Sequence, residues 1–533
     1  MYVKLPEQNH RFVAILLLFS ILFLLAPRVG AEAAKSDEKE KQTCSESPDL
    51  EEILPADQLS VTDHMLQSGD IKLPYQATAG TLPVKLDRDG TECRIFFISY
   101  HSQTKKQSTR PLTFVFNGGP GASSAYLHLG VLGPERVIFN EDGSMPPPPA
   151  RLGDNRETWL RFTDLVFVDP PGTGYSRCQK IEDSKKQPKS EAQAWDVKED
   201  LAALSKFIRL YLTRYNRWLS PRYLVGESYG GFRVAALSDF LQTDYEISLN
   251  GVILVSPALE FELLYGNELN LLPWVVSLPS YAATARHHGR AAGPPATGMN
   301  TRQALEEVEQ FAVREFLPAL AAADTEPLNS RIAELIGLPA WQVSQHNARI
   351  SRQLFAKELL RDEGLLVSVY DGSITSIDPD PSSPWSRRPD TLLVQLNTLL
   401  AATFNSFIRE QLKFETDIPY EILNSDVSKS WNWRSGMDAQ QGFAGVAENL
   451  KNSMSVNKDL KVLIAHGFYD LVTPYFGSVI VTRQMQLNQA IAANLSLEVY
   501  EGGHMFYTND VSRKRFFEDA ERFYTTPTVS AVQ

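Results

Sequence analysis

The chain has 533 residues, 43% of them hydrophobic and 22% charged, which is enough for a large core with more than one domain or a long insertion. Its formal net charge is −12 and no basic stripe stands out, so nucleic acid is excluded as a predicted partner. Three cysteines, Cys44, Cys93 and Cys178, allow at most one intramolecular disulfide, for which Cys93 and Cys178 are one candidate pair, and have no metal-ligand spacing. We therefore predict no metal and no other cofactor.

The N-terminus has the pattern of a secretory signal peptide. Lys4 and Arg11 precede an apolar run over 12–26, and a small-residue stretch follows at 29–34. The run is shorter than the roughly 20 residues of a membrane-spanning helix, although an uncleaved anchor is the alternative. We predict a signal peptide over 1–33, a secreted or periplasmic protein, and no stable membrane insertion after cleavage. Few cysteines and one sequon, at Asn494, fit a bacterial envelope protein better.

The first part of a folded core follows a polar linker over 34–70. Alternating apolar residues over 72–100 predict antiparallel strands, whereas 112–116 and 165–168 are continuous apolar runs. Such runs are typical of strands that helices cover on both faces.

Strands and helices then alternate along the chain. A helix is predicted over 191–217, followed by a strand at 222–225, a helix to Phe240 and another strand at 251–255. This alternation predicts an α/β fold with a mostly parallel central sheet. We assign 71–265 to the first part of this core.

The pattern changes over 266–440, which we predict to be an inserted, mainly helical cap. Its predicted helices cover 302–323, 328–337, 341–362 and 391–412. Apolar strand runs return at 461–465 and 497–500, so 441–533 is predicted to complete the α/β core.

A candidate nucleophile lies between a strand and a helix. Gly226-Glu227-Ser228-Tyr229-Gly230 fits G-x-S-x-G, and in this context the pattern indicates a tight turn that exposes the serine hydroxyl above the sheet. The alternative is an ordinary turn with a capping serine.

A serine nucleophile needs a base, and the base needs an acid that orients it. In α/β-hydrolases these residues follow in the order serine, acid, histidine, each after a strand. Asp470 follows the strand at 461–465 and His504 follows the strand at 497–500, so Ser228, Asp470 and His504 form the predicted triad. Asp470 could instead cap a helix near Pro474, and His466 is a rival base that we expect to be structural.

The oxyanion of such a reaction needs backbone donors near the serine. One predicted donor is the N–H of Tyr229, directly after the nucleophile. The other is the N–H of Gly119, in the glycine loop 117–121 that follows an early strand. The alternative for this loop is a simple glycine-rich turn.

Together these motifs resemble those of the serine carboxypeptidase family, the carboxypeptidase Y-like α/β-hydrolases, in a bacterial-type member. The resemblance covers roughly 75–265 and 440–525. The motifs that carry it are, in order, Asn117-Gly118-Gly119-Pro120-Gly121, Asp169 to Ser176, Gly226 to Gly231, His466-Gly467 with Asp470, and Gly502-Gly503-His504.

The resemblance implies an α/β-hydrolase fold and a hydrolase that releases C-terminal residues from peptides through Ser-His-Asp acyl-enzyme chemistry. The partner is then a peptide with a free C-terminus. The resemblance also implies that Asn117 and Glu227 bind the C-terminal carboxylate. A protonated Glu227 donates a hydrogen bond to that carboxylate, whereas an ionised one repels it, so acid pH is expected to favour the reaction.

The sequence departs from the family at two places. Val131 holds the position of a second carboxylate-binding acid on an ungapped count, and Glu135 is a poor substitute. Without a second acid, like-charge coupling cannot raise the pKa of Glu227, so carboxylate capture is weaker or is restored by a group in the cap. Ser256-Pro257-Ala258 also replaces a glycine-asparagine turn. Two alternatives follow: an esterase or acyltransferase at the same site, and a non-catalytic secreted binding protein.

Overall fold

The computed structural model describes residues 58–86, 91–103, 109–180, 194–291, 301–433 and 443–526. The predicted signal peptide, Cys44 and most of the predicted linker lie outside these ranges. The described strands are β1 Leu59–Ser68, β2 Ile71–Lys85, β3 Thr91–Ser102, β4 Leu112–Phe116, β5 Glu135–Val137, β6 Leu152–Asp154, β7 Asp164–Val168, β8 Arg177–Lys180, β9 Arg222–Glu227, β10 Gly251–Val255, β11 Leu365–Val367, β12 Thr375–Ile377, β13 Lys461–Gly467 and β14 Leu495–Tyr500.

A ten-stranded sheet forms the centre of the molecule. Its strand order is β1-β2-β3-β7-β4-β9-β10-β13-β14, with β8 paired to one end of β3. β1, β2 and β3 pair antiparallel, and β3 also pairs antiparallel with β7. From β7 to β14 every neighbouring pair is parallel. The predicted mostly parallel sheet is therefore confirmed.

The continuous apolar strands are buried because the sheet has a core on each face. In β4, Phe114 and Phe116 pack into one hydrophobic cluster, and Val115 between them packs into the other. Successive side chains of a strand point to opposite faces, so a strand buried on both sides needs apolar residues at every position.

The described α-helices are α1 Ala125–Leu127, α2 Val197–Arg214, α3 Tyr229–Asp244, α4 Leu272–His287, α5 Thr301–Phe311, α6 Leu317–Ala322, α7 Asn329–Ile336, α8 Ala340–Gln345, α9 Arg352–Glu358, α10 Thr391–Glu410, α11 Ser425–Ser430, α12 Ala447–Val456, α13 Tyr475–Gln484, α14 Gln489–Ala492 and α15 Asp510–Thr525. Between β10 and β13 the chain forms α4 to α12 and the antiparallel pair β11–β12. The bounds 266–440 for a cap remain a prediction.

Two predicted helices differ from those in the structure. α2 begins at Val197 because the Asp196 side chain accepts a hydrogen bond from the N–H of Glu199 and caps it. The single helix predicted over 341–362 is wrong: it is the two helices α8 and α9. The backbone turns to positive φ at Asn347 and Ala348, which ends α8.

Two details concern the cysteines and the sequon. Cys93 and Cys178, which face each other on β3 and β8, form a disulfide. Asn494 of the sequon is buried, and its Nδ2 donates to the carbonyl of Lys458 at 2.7 Å. Glycosylation there would require this buried side chain to leave its place in the fold.

One described helix, α10, is long and apolar enough to cross a membrane by length and composition alone. In the structure its apolar side chains pack into the core on one face of the sheet. They are Leu396, Leu400, Phe404, Phe407 and Ile408.

Candidate active site

Ser228 occupies a sharp turn between β9 and α3. Its backbone has φ 60° and ψ −124°, a conformation that costs a non-glycine residue about 1–3 kcal/mol. The turn lies against the end of β4, because a Cβ at Gly230 would lie 2.7 Å from the carbonyl oxygen of Phe116. Ser228 is partly exposed, whereas Glu227 and Tyr229 on either side are buried.

Asp470 and His504 meet at the ends of β13 and β14. His504 Nδ1 lies 2.8 Å from Asp470 Oδ2, and both side chains are buried. The other carboxylate oxygen of Asp470 accepts the N–H groups of Val472 at 2.8 Å and Thr473 at 2.9 Å. The Thr473 hydroxyl lies 2.7 Å from Asp470 Oδ2 and 3.0 Å from His504 Nδ1.

This arrangement sets the charges of the pair. Burial acts to raise the pKa of Asp470, but the charge and hydrogen bond of His504 and the hydrogen bonds of Thr473 outweigh it and hold the pKa below its usual value. Burial acts to lower the pKa of His504, but Asp470 and then Glu227 outweigh it and raise the pKa. Asp470 is therefore an ionised acceptor that favours a proton on Nδ1 and leaves Nε2 as a base.

The end of β10 connects the three loops that carry the predicted triad. The N–H of Ser228 donates to Val255 O at 2.9 Å. Ser256 Oγ donates to His504 O at 2.8 Å, and Ser256 O lies 2.9 Å from the Thr473 hydroxyl oxygen. Sequence reasoning noted Ser256 as a departure from the family and missed this role, which no local motif reveals.

His466, the rival base, lies within β13 and is fully buried. Its Nε2 is 2.8 Å from Ser478 Oγ, and burial lowers its pKa to about 4. Among the described contacts it joins β13 to α13, as expected of a structural residue.

The glycine loop after β4 lies against the serine turn. A Cβ at Gly118 would be 2.6 Å from the backbone nitrogen of Tyr229 and 2.7 Å from the carbonyl oxygen of Glu227, so only glycine permits this approach. Within the described ranges, the N–H groups of Gly119 and Tyr229 have no acceptor in the chain. The Tyr229 N–H directly follows the nucleophile and the Gly119 N–H belongs to the loop that packs against this turn, so both remain predicted oxyanion donors.

Glu227 is a buried acid beside the triad. The Tyr507 hydroxyl donates to its Oε2 at 2.7 Å, and the Asn117 side chain acts with Tyr507 to lower the pKa of Glu227. Burial raises the pKa of Glu227 to about 7, against the opposing effects of His504, Tyr507 and Asn117. Tyr507 was missed by sequence reasoning, although it lies only three residues after His504.

Neither Val131 nor Glu135 has a described hydrogen bond or ion pair with Glu227. Val131 is buried in the core. Glu135 accepts a hydrogen bond from Gln411 at 2.8 Å, and burial raises its pKa. Desolvation therefore raises the pKa of Glu227 without a neighbouring carboxyl of the kind expected from the family.

Arg233 of α3 contacts both the glycine loop and the serine turn. Its guanidinium pairs with buried Asp200 of α2 at 2.7 Å, donates to the carbonyl of Asn117 and lies 5.0 Å from the Tyr229 ring. Burial raises the pKa of Asp200, and the Arg233 charge opposes that rise.

Replacing Arg233 with methionine is expected to lower the free energy of unfolding by about 3–5 kcal/mol, because Asp200 is left as an uncompensated buried charge. The loss should grow with rising pH, since an acid whose pKa is raised in the folded state destabilises that state where it would ionise. Chemical denaturation at several pH values measures both effects. Adding Asp200→Asn should recover part of the loss; an additive double variant would contradict the pairing.

A separate cleft of about 550 Å³ lies between α12 and α13. Its lining includes Glu260, Leu272, Lys451 and Met485 and none of the predicted site residues. The candidate site is therefore defined by the strand ends rather than by this cleft.

Comparison with known proteins finds similarity to serine carboxypeptidases. A serine carboxypeptidase family model matches residues 70–278. Serine carboxypeptidase-like 9 of Arabidopsis thaliana is 28% identical over 222 residues, which cover 38% of this chain and 47% of that protein. The pheromone-processing carboxypeptidase KEX1 of Yarrowia lipolytica is 22% identical over 404 residues, which cover 74% of this chain and 55% of that protein. The chain thus spans about half the length of these relatives.

Among solved structures, the prohormone-processing carboxypeptidase Kex1(delta)p from Saccharomyces cerevisiae has the same fold. The TM-score is 0.52 at 16% sequence identity, and the match covers 84% of this chain and 91% of that one. The fold is thus that of the α/β-hydrolases. The region matched by the family model contains both the glycine loop and the serine turn, so this part of the chain is similar to the serine carboxypeptidases.

Proposed function

We propose that the protein is an exported serine carboxypeptidase-like hydrolase that releases C-terminal residues from peptides, most actively at acid pH. The observation that carries this proposal is Glu227, a buried acid that directly precedes the serine, accepts a hydrogen bond from Tyr507 and has its pKa raised by burial to about 7. A neutral acid suits the recognition of a free carboxylate. Export, to the periplasm or outside the cell, rests on the predicted signal peptide.

In the proposed reaction, Ser228 Oγ attacks the carbonyl carbon of the last peptide bond while His504 Nε2 takes its proton. Asp470 stabilises the imidazolium, and the N–H groups of Gly119 and Tyr229 bind the oxyanion. His504 then protonates the leaving amine, and the acyl group stays on Ser228. Water, activated by His504, hydrolyses this ester and restores the free serine.

The productive protonation state has one proton on Glu227 and none on His504 Nε2. The alternative state, with ionised Glu227 and charged His504, carries the same number of protons but repels the substrate carboxylate and lacks a base. The charge of Glu227 raises the pKa of His504, and the charge of His504 lowers the pKa of Glu227. The two groups therefore titrate as a coupled pair.

The test is the pH dependence of kcat/KM for Glu227→Gln, on an N-blocked dipeptide as free acid and as amide from about pH 4 to 8. For the free acid, wild-type kcat/KM should fall as pH rises through about 7, where Glu227 ionises. In the variant that alkaline decrease should vanish, because glutamine stays neutral. The acid limb should change little, because on that side of the profile Glu227 is already neutral and glutamine keeps it so.

Tyr507→Phe is a matched variant for this experiment. It removes a hydrogen bond that lowers the pKa of Glu227, so the alkaline limb should move to higher pH instead of vanishing. Profiles that coincide for wild type and both variants would refute the role of Glu227.

A second candidate is an esterase or acyltransferase at the same serine, which the buried Val131 favours because it removes one carboxylate-binding acid. Equal cleavage of the free acid and the amide, or cleavage of simple esters alone, would establish it. A non-catalytic binding protein would be indicated if an organophosphate failed to label the folded protein.

A further inference from the structure

Arg352, the first residue of α9, lies next to the loop that carries Asp470. Its Nη1 donates to the carbonyl of Val472 at 3.2 Å, and the N–H of Val472 donates to Asp470 Oδ1 at 2.8 Å. A cation from the predicted cap is therefore joined to the triad acid through a single loop residue.

This guanidinium has no carboxylate partner among the described residues. By contrast, the buried guanidinium groups of Arg110, Arg217 and Arg233 in the α/β core each pair with an aspartate at 2.7–2.9 Å. The chain has 64 acidic against 52 basic residues, so partners are not scarce. A part-buried arginine without a counter-ion retains its capacity to bind an anion bidentately.

Two tyrosines mark where an anion could reach Arg352. The Tyr265 ring, which is 54% exposed, lies 5.9 Å from the guanidinium carbon. The Tyr370 ring lies edge-on to the imidazole of His504 at 5.6 Å, and Tyr370 O accepts the N–H of His504. The cation therefore stands at a partly open aromatic edge, close enough to Tyr370 and His504 for its charge to act on both side chains.

The charge of Arg352 also has a cost for the reaction. It acts to lower the pKa of His504 and so opposes the imidazolium that forms during attack. A substrate that brings an anion to Arg352 cancels this effect at the moment of reaction.

We propose that Arg352 is a specificity residue that binds a carboxylate of the substrate. This inference rests on the proposed function at Ser228. The carboxylate has two sources: the C-terminal α-carboxylate, for which Val131 leaves the family's second acid missing, or an Asp or Glu side chain beside the scissile bond.

The test compares Arg352→Gln with wild type on N-blocked dipeptides that differ by one group. The pairs are Phe-Leu as free acid and amide, and Glu-Leu with Gln-Leu, both as free acids. The variant should lose about 10- to 100-fold in kcat/KM on each substrate that carries the recognised carboxylate, the range for a lost charge-assisted hydrogen bond. Arg331→Gln is the matched control, since Arg331 is a half-exposed cap arginine already paired with Glu315.

A loss for Phe-Leu acid but not its amide identifies the α-carboxylate; a loss for Glu-Leu but not Gln-Leu identifies the side chain. Equal losses on all four, or none, would overturn the proposal and leave Arg352 as a brace for the Asp470 loop. Calorimetric binding of the same peptides to Ser228→Ala, with and without Arg352→Gln, separates this result from the proposed function. Carboxylate binding that depends on Arg352 would support the proposal even if no peptide were hydrolysed.

Discussion

Replacing Ser228 with alanine is expected to lower kcat by about 10⁴- to 10⁶-fold, the range seen when a triad nucleophile is removed. The reason is that no other hydroxyl replaces it in the turn between β9 and α3, against which the glycine loop packs. Steady-state hydrolysis of the N-blocked dipeptide measures the loss. Labelling by an organophosphate should disappear in parallel.

A glycine at the same position distinguishes the loss of the nucleophile from a loss of stability. Because Ser228 has a φ of 60°, alanine keeps the backbone strain, whereas glycine relieves it. Ser228→Gly should be as inactive as Ser228→Ala but about 1 kcal/mol more stable in chemical denaturation. Substantial activity or undiminished labelling in either variant would remove Ser228 from its proposed role.

The parts that could be predicted from the sequence are those that depend on local pattern. The apolar runs at 112–116, 165–168 and 251–255 are strands of the parallel region because a strand covered on both faces must be apolar throughout. The positions of Asp470 and His504 could be predicted from a second rule, since parallel strands bring their carboxyl ends to one edge of the sheet. The structure brings these two side chains into contact.

The parts that could not be predicted depend on residues distant in sequence. Ser256 connects the triad loops through contacts with Thr473 and His504, which lie more than 200 residues away. The pKa of Glu227 is raised by burial among such distant segments, and not by the second acid that the family pattern suggested. No local motif points to Arg352, because the proposal for this residue depends on its surroundings in the fold.

The predicted ends of helices differ from the structure for a related reason. The segment 341–362 has helical composition throughout, yet Asn347 and Ala348 adopt positive φ and Ser351 caps a new helix. Apolar periodicity predicts that a segment is helical but does not reveal a break that tertiary packing imposes.

Replacing Asp470 with asparagine is expected to lower kcat by roughly 10³- to 10⁴-fold while the fold is retained. The asparagine amide can donate to His504 Nδ1, which favours the tautomer with its proton on Nε2, where the base must accept one. The acid limb of the pH profile should also move to lower pH, because the Asp470 charge and hydrogen bond raise the pKa of His504. Steady-state kinetics from about pH 4 to 8 measure both effects.

Thr473→Val is the matched variant, since it removes one hydrogen bond to Asp470 Oδ2 and leaves the charge in place. It should cost roughly 10-fold in kcat, the value of one hydrogen bond to a charged group.

The two variants should also differ in the pH dependence of their stability. A carboxyl whose pKa is lowered by folding stabilises the protein above its ordinary pKa, and this contribution is lost as pH falls through the lowered value. Asp470→Asn should therefore flatten the acid side of the stability profile, whereas Thr473→Val should only shift it. If kcat of Asp470→Asn stayed within 10-fold of wild type, another group would have to orient His504. Thr473, whose hydroxyl lies 3.0 Å from Nδ1, would be the first to test.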